Sequence, residues 1–145
     1  MTKLTKDVEC MEMIRRNLYL NKIRPFIDQD LIKVLIGLRR SGKTILLSQI
    51  RDVLLERGVS EENIIEINFE SRRFKRLEDA DNFYQYVMER AEQAEGKVYL
   101  FFDEIQHVKE WHSVIPSFRI DFDCDIYVTG SNSKLLSGEL ATNMA

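Results

Sequence analysis

The chain has 145 residues, 44% hydrophobic and 31% charged, which suits one soluble domain with a buried core. Its 24 acidic against 21 basic residues leave a net charge of −3, which excludes an overall basic footprint for nucleic acid but not a local patch. No apolar run reaches membrane-spanning length, the N-terminus is not signal-like, and Cys10 and Cys124 match no metal spacing, so a cytoplasmic protein with reduced thiols and no membrane association is expected.

From Thr5 to Leu20, Val8, Met11, Ile14 and Leu18 fall on one face of a helix. Asn21 to Asp30 is a connector in which Arg24, preceding Pro25, should be extended. These make up residues 1–30, ahead of a core over 31–145. Leu31 to Ile36 reads as a short buried strand, and a helix follows Ile45 to about Arg57, closed by Gly58. Asn63 to Phe69 is a second strand. Ser71 to Arg76 sets four cations, Arg72, Arg73, Lys75 and Arg76, around Phe74. We read it as a solvated loop, although its basic and aromatic character also fits nucleic acid. Leu77 to Ala94 predicts a second helix burying Phe83, Tyr86, Val87 and Ala91.

Val98 to Phe102 is the most apolar run and reads as a central strand. Trp111 to Ile120 predicts a shorter helix in which Pro116 should occupy the first turn or make a kink. His107 and His112 bracket Trp111 without metal spacing and are read as surface residues. Cys124 to Thr129 is a fourth strand, and Ser133 to Leu140 a last helical turn or two. Strands alternating with helices predict an α/β fold, a three-layer sandwich on a parallel sheet.

Between the first strand and its helix lies Gly37-Leu38-Arg39-Arg40-Ser41-Gly42-Lys43-Thr44, which fits the phosphate-binding pattern G-x-x-x-x-G-K-[ST]. Gly37 and Gly42 allow a tight turn, and the N–H groups from Arg39 through Ile45 would cradle anionic oxygens at a helix N-terminus. Lys43 would reach the β- and γ-phosphates of a nucleoside triphosphate, and the Thr44 hydroxyl would bind Mg²⁺. The side chains of Arg39 and Arg40 either steady phosphates or face solvent. The apolar third strand ends in Asp103-Glu104, at the sheet edge where such folds place ligands. Asp103 is the expected Mg²⁺ partner and Glu104 the expected base for an attacking water. A polar residue at the fourth strand end would hold that water or sense the phosphate: Ser131 first, Asn132 and Thr129 behind it.

With these three segments in hand, the chain resembles the AAA+ superfamily. More narrowly it is similar to a prokaryotic family of ATP-binding proteins with an AAA-type N-terminal domain. The resemblance rests on Gly37–Thr44, Ile67-Asn68-Phe69-Glu70, Phe102-Asp103-Glu104-Ile105-Gln106 and Thr129-Gly130-Ser131-Asn132-Ser133-Lys134-Leu135-Leu136. It implies a RecA-like sheet of order 5-1-4-3-2 with ATP and Mg²⁺ bound. In that family the chain continues into a fifth strand, an arginine-bearing segment, a lid and a C-terminal domain, whereas this sequence ends at Ala145. Strand 5 is therefore expected to be absent, the first strand to be a sheet edge carrying only Lys33 as a blunting charge, and the chain to self-associate through it with little turnover.

The leading functional expectation is the core of an ATPase acting as a switch or motor on an unidentified protein or nucleic-acid partner. A phosphotransferase using the same loop is the alternative, disfavoured by the second acid. A nucleotide-binding module without turnover is the third reading.

Overall fold

The computed structural model describes residues 20–35 and 40–131, apart from the side chains of Arg40 and Ser41. The expected helix up to residue 19, Gly37 and Arg39 of the loop, Asn132 and the turn from Ser133 lie outside the described residues. Four parallel strands form one sheet: β1 (Ile32–Leu35), β2 (Ile64–Asn68), β3 (Val98–Asp103) and β4 (Cys124–Thr129), in the order β1-β4-β3-β2. Three helices, α1 (Arg40–Glu56), α2 (Ala80–Gln93) and α3 (Trp111–Asp121), alternate with them. This is the expected three-layer α/β arrangement of a RecA-like P-loop core.

Strand period sorts the residues onto two faces. On one face Ile32, Val34, Leu100, Phe102, Ile126 and Val128 pack against α2 and α3. There Phe83 meets Phe69, Phe102 and Phe118 edge-to-face at centroid separations of 5.2, 4.8 and 5.4 Å. Such geometry puts ring edges on ring faces and adds to plain area burial. On the other face Leu35, Tyr99, Phe101 and Tyr127 pack against Leu46, Leu47, Ile50 and Leu54 of α1. Leu20, Ile23 and Ile27 join this second cluster, so the segment before β1 is packed onto the sheet.

α1 ends as the sequence predicts. Val59 N–H donates to Leu54 O (3.0 Å) and Gly58 N–H to Leu55 O (3.0 Å), with Gly58 at φ +94°. That is a Schellman ending, which needs a left-handed residue where Gly58 stands.

Several boundaries differ from expectation for visible reasons. Arg24 is not extended but opens a 3-10 turn, Arg24–Phe26. Pro25 lacks only an N–H that the start of such a turn leaves unbonded, and burial of the flanking Ile23 and Ile27 holds the turn in place. The second helix starts at Ala80 because the Asp79 carboxylate accepts from Asn82 N–H (3.0 Å) and caps it there. The segment read as a solvated loop is instead a 3-10 helix, Arg72–Glu78, kinked at Phe74 and anchored by buried Leu77. Pro116 is the sixth residue of an uninterrupted α3. The carbonyl it deprives of a donor belongs to exposed His112, within reach of water.

Lys33 does not blunt the edge of β1. It is 4% exposed and its ammonium is paired with Asp125, which is 1% exposed. Asp125 also accepts from the Tyr127 hydroxyl and from Asp28 N–H (3.0 Å), and Asp28 accepts from the Tyr99 hydroxyl (2.6 Å). Asp28 takes the left-handed φ of 68° that turns its N–H into this network. A buried ionic cluster thus ties the segment before β1 to β1, β3 and β4.

Candidate functional site

The carboxyl ends of the strands form a row. Asn68 pairs in register with Asp103, Phe102 with Val128, and Leu35 with Thr129. α1 begins above this row, so Gly42, Lys43, Thr44 and Ile45 fall in its first turns. The chain must leave β1 through the glycine-bearing loop to start a helix there, which is why motif and acidic pair meet although 59 residues separate Thr44 from Asp103.

Lys43 is 6% exposed. Its Nζ donates to Gly130 O at 3.0 Å and lies 3.1 Å from Glu104 Oε1. The Thr44 hydroxyl donates to Asp103 Oδ2 at 2.7 Å. Asp103 Oδ1 accepts from the Thr129 hydroxyl, whose oxygen accepts in turn from Glu104 N–H at 3.0 Å. Gln106 Nε2 donates to Glu104 Oε2. Lysine, threonine and both acids therefore stand in one connected set, held from β4 by Thr129.

Glu104 has φ 59° and ψ 53°, a left-handed conformation that costs a residue with a Cβ about 1–3 kcal/mol. Here it re-aims the chain between β3 and the 3-10 turn Ile105–His107, so the carboxylates of two successive residues point into the same space. Burial pushes the Glu104 carboxyl up. Hydrogen bonds from Gln106 and Lys43, with the charges of Lys43 and His107, outweigh that and hold it below its ordinary value. Glu104 is an anion at neutral pH, as a base requires.

A cavity of about 100 Å³ opens beside Thr44 and Asp103 and runs under α1 past Ser48 to Asn68. The donor set at its mouth, a hydroxyl and a carboxylate, is hard oxygen. That fits Mg²⁺, which commonly takes one or two protein oxygens and fills its shell from water and phosphate. The neighbouring ammonium at a helix N-terminus fits an anionic ligand.

Of the residues expected at the site, Lys43, Thr44, Asp103 and Glu104 are brought together. Gly42 and Ile45 lie in the first turns of α1 beside them. Arg40 and Ser41 open that helix, while Gly37, Arg39 and Asn132 lie outside the described residues. Of the three residues weighed for the fourth strand end, Thr129 rather than Ser131 reaches the acids. The expected order 5-1-4-3-2 already sets the fourth strand beside the third, but which of its end residues meets the acids depends on register. Gln106 was quoted in a motif but given no role. A one-turn helix after Glu104 puts it within reach. His107 and His112 are exposed, as expected.

Comparison with known proteins places the fold and the family. A Haemophilus influenzae protein described as uncharacterized is 46% identical over 130 residues, covering 90% of this chain and 32% of its own length. An uncharacterized Methanocaldococcus jannaschii protein is 34% identical over 149 residues, covering 97% of this chain and 32% of its own. The chain thus spans about a third of the length of these curated relatives. The solved structure of C. elegans PCH-2 matches with a TM-score of 0.53 at 18% identity, over 99% of this chain and 43% of that one, a likeness of fold. The AAA domain family profile matches residues 29–145, and the chain belongs to that family of nucleotide-binding, ATPase-like P-loop domains.

Proposed function

We propose that this chain binds ATP with Mg²⁺ and hydrolyses it, as the core of a switch or motor that acts on a partner. The observation that supports this best is the convergence of Lys43 and Thr44 with Asp103 and Glu104 at one sheet edge. Bound ATP would supply the phosphoryl group, and Mg²⁺ would neutralise charge between its phosphates. Lys43 then exchanges Glu104 and the Gly130 carbonyl for phosphate oxygens. That exchange frees the Glu104 carboxylate to hold a water and take its proton, while Gln106 keeps the carboxylate aimed. Thr129 fixes the spacing of the two acids through the Asp103 carboxylate and the Glu104 amide. Thr44 and Asp103 would hold the metal, the Thr44 hydroxyl being free to do so once it leaves Asp103.

Calorimetric titration with Mg-ATP, run beside a phosphate-release assay, tests the reading. Lys43→Ala should weaken binding at least about tenfold, or 1.4 kcal/mol, with native circular dichroism. Glu104→Gln should retain affinity and abolish release of phosphate. Unchanged affinity in a folded Lys43→Ala protein would refute the site.

A further inference from the structure

The 3-10 helix Arg72–Glu78 lies at the same carboxyl edge, between β2 and α2, and takes no part in the site above. In such a helix residues three apart eclipse one another. Phe74 and Leu77 form the inward row, half-buried and buried. Arg73 and Arg76 form a second row, Arg72 and Lys75 a third, and all four cations are exposed. None of them pairs with a carboxylate among the described residues. In a chain of net charge −3, four cations on one short segment with no carboxylate partner among the described residues are a local exception.

Two of the local guanidinium groups sit over aromatic rings. Arg73 lies over Phe74 with its guanidinium carbon 5.6 Å from the centroid, and Arg90 of α2 over Tyr86 at 3.7 Å. The two rings meet edge-to-face at 6.1 Å. Both arginines are exposed, so each arginine–aromatic pair offers solvent a cationic and aromatic surface against which a flat heterocycle can stack. Beside the Arg72 and Lys75 row opens a cavity of about 310 Å³, walled by Phe69, Ser71, Glu78 and His107. Its polar groups are of both signs, so it suits a neutral ring bearing donors and acceptors better than a bare anion. The Glu78 carboxylate there can accept from an exocyclic amino group.

We propose that this surface binds single-stranded nucleic acid, with phosphates along Arg72, Arg73, Lys75 and Arg76, bases stacked on the Arg73–Phe74 and Arg90–Tyr86 pairs, and one base in the cavity. Charge alone would serve an acidic peptide equally. The stacking planes and the cavity of mixed polarity favour a strand whose bases are free, which a duplex does not offer.

Fluorescence anisotropy with a labelled twenty-residue oligo-dC at pH 7.5, without nucleotide, tests this separately from ATP binding. Four released counterions give a slope of log affinity against log salt of about −2.8, so binding should loosen about fifty-fold between 50 and 200 mM salt. Arg72→Gln or Arg76→Gln should each reduce that slope by about 0.7. Phe74→Leu should weaken binding about tenfold at constant slope, since it removes a platform and no charge. Arg57→Gln, at the other end of the strands, should change nothing. Three results would each overturn the proposal: no binding by the folded chain at 50 mM salt, full binding by the variant with all four cations changed to glutamine, or equal competition by polyglutamate.

Discussion

The buried ionic cluster beneath β1 and β4 gives a stability prediction that does not depend on any ligand. Asp125 accepts from three donors at once: the Lys33 ammonium, the Tyr127 hydroxyl and the Asp28 amide. Burial pushes the Lys33 ammonium below its ordinary value even though the hydrogen bond and charge of Asp125 act to raise it. A buried pair of this kind is weak evidence for net stability, yet removing one member alone is costly. Breaking a buried pair leaves an unpaired charge, at about 3–5 kcal/mol. Asp125→Asn keeps the shape and an acceptor for Tyr127 and Asp28, so we expect the low end, about 3 kcal/mol. Lys33→Met should cost about 2 kcal/mol, because the remaining carboxylate keeps two donors.

The double variant has no buried charge, and its cost should be about 2–3 kcal/mol rather than the additive sum of about 5. Urea unfolding followed by circular dichroism measures all three, and a loss of this size is a large share of a typical 5–15 kcal/mol. Additive single and double variants, or an Asp125→Asn loss under 1 kcal/mol, would show that Lys33 and Asp125 are not paired in solution.

Other expectations follow from single contacts. Asp103→Asn should damage Mg²⁺-dependent nucleotide binding while leaving metal-free binding little changed, as calorimetry with and without Mg²⁺ would show. The folded-state pKa of Glu104 lies below its ordinary 4.5, so its contribution to stability is complete above that pH and lost as pH falls through the lowered value. Urea midpoints of wild type and Glu104→Gln should therefore converge below pH 4.5, and a constant gap would count against the Gln106 and Lys43 contacts. Burial, with Asp123 and Asp125 nearby, pushes the half-buried Cys124 thiol up to about 12. In a Cys10→Ser background, Cys124 should then react with a thiol reagent at pH 8 far more slowly than free cysteine.

The fold was legible where pattern and punctuation agree. β4 runs over the expected Cys124–Thr129, an apolar run ending at a glycine, and α1 stops where Gly58 requires. Legibility failed where two periods compete over a few residues. Arg72–Glu78 has spacing that serves a 3-10 row as well as a loop or the start of α2, and only Asp79's capping bond decides between them. Asn63 looked like strand, yet its side chain is engaged with the carbonyls of Glu95 and Lys97 at 2.7 and 2.8 Å, and β2 starts one residue later. The candidate phosphate-binding residues Lys43 and Thr44 and the acidic pair were legible because each sits at the end of its own element. The bonds from Thr129 to the two acids were not legible, because which side chains meet across strands depends on register.

The same reasoning explains why the buried polar groups fall where they do. In β1, β3 and β4 the residues facing α1 are odd-numbered, and they include Lys33, Tyr99, Asp103, Asp125, Tyr127 and Thr129. The even-numbered ones, Ile32, Val34, Val98, Leu100, Phe102, Ile126 and Val128, make an apolar face against α2 and α3. One face of the sheet is thus wholly apolar, and the other carries ionic groups at both ends of its strands. At the lower end these groups bond one another and tie in the segment before β1. At the upper end Thr129 and Asp103 bond each other but also reach Thr44, at the mouth of a cavity. Tyr127, stacked on Phe101 at 5.0 Å, lies between the two ends on β4. A one-residue slip of β4 would turn Val128 toward α1 and Thr129 into the aromatic core, removing both polar sets together. Because each polar set also needs strand register to pair, the Lys33–Asp125 cluster works against that slip at one end while the site depends on its absence at the other. Loosening the cluster by Asp125→Asn should therefore weaken nucleotide binding about 13 Å away by strand rise, without touching a ligand-binding side chain. Calorimetry on the folded variant measures it, and wild-type affinity there would show that register is held by the apolar face alone.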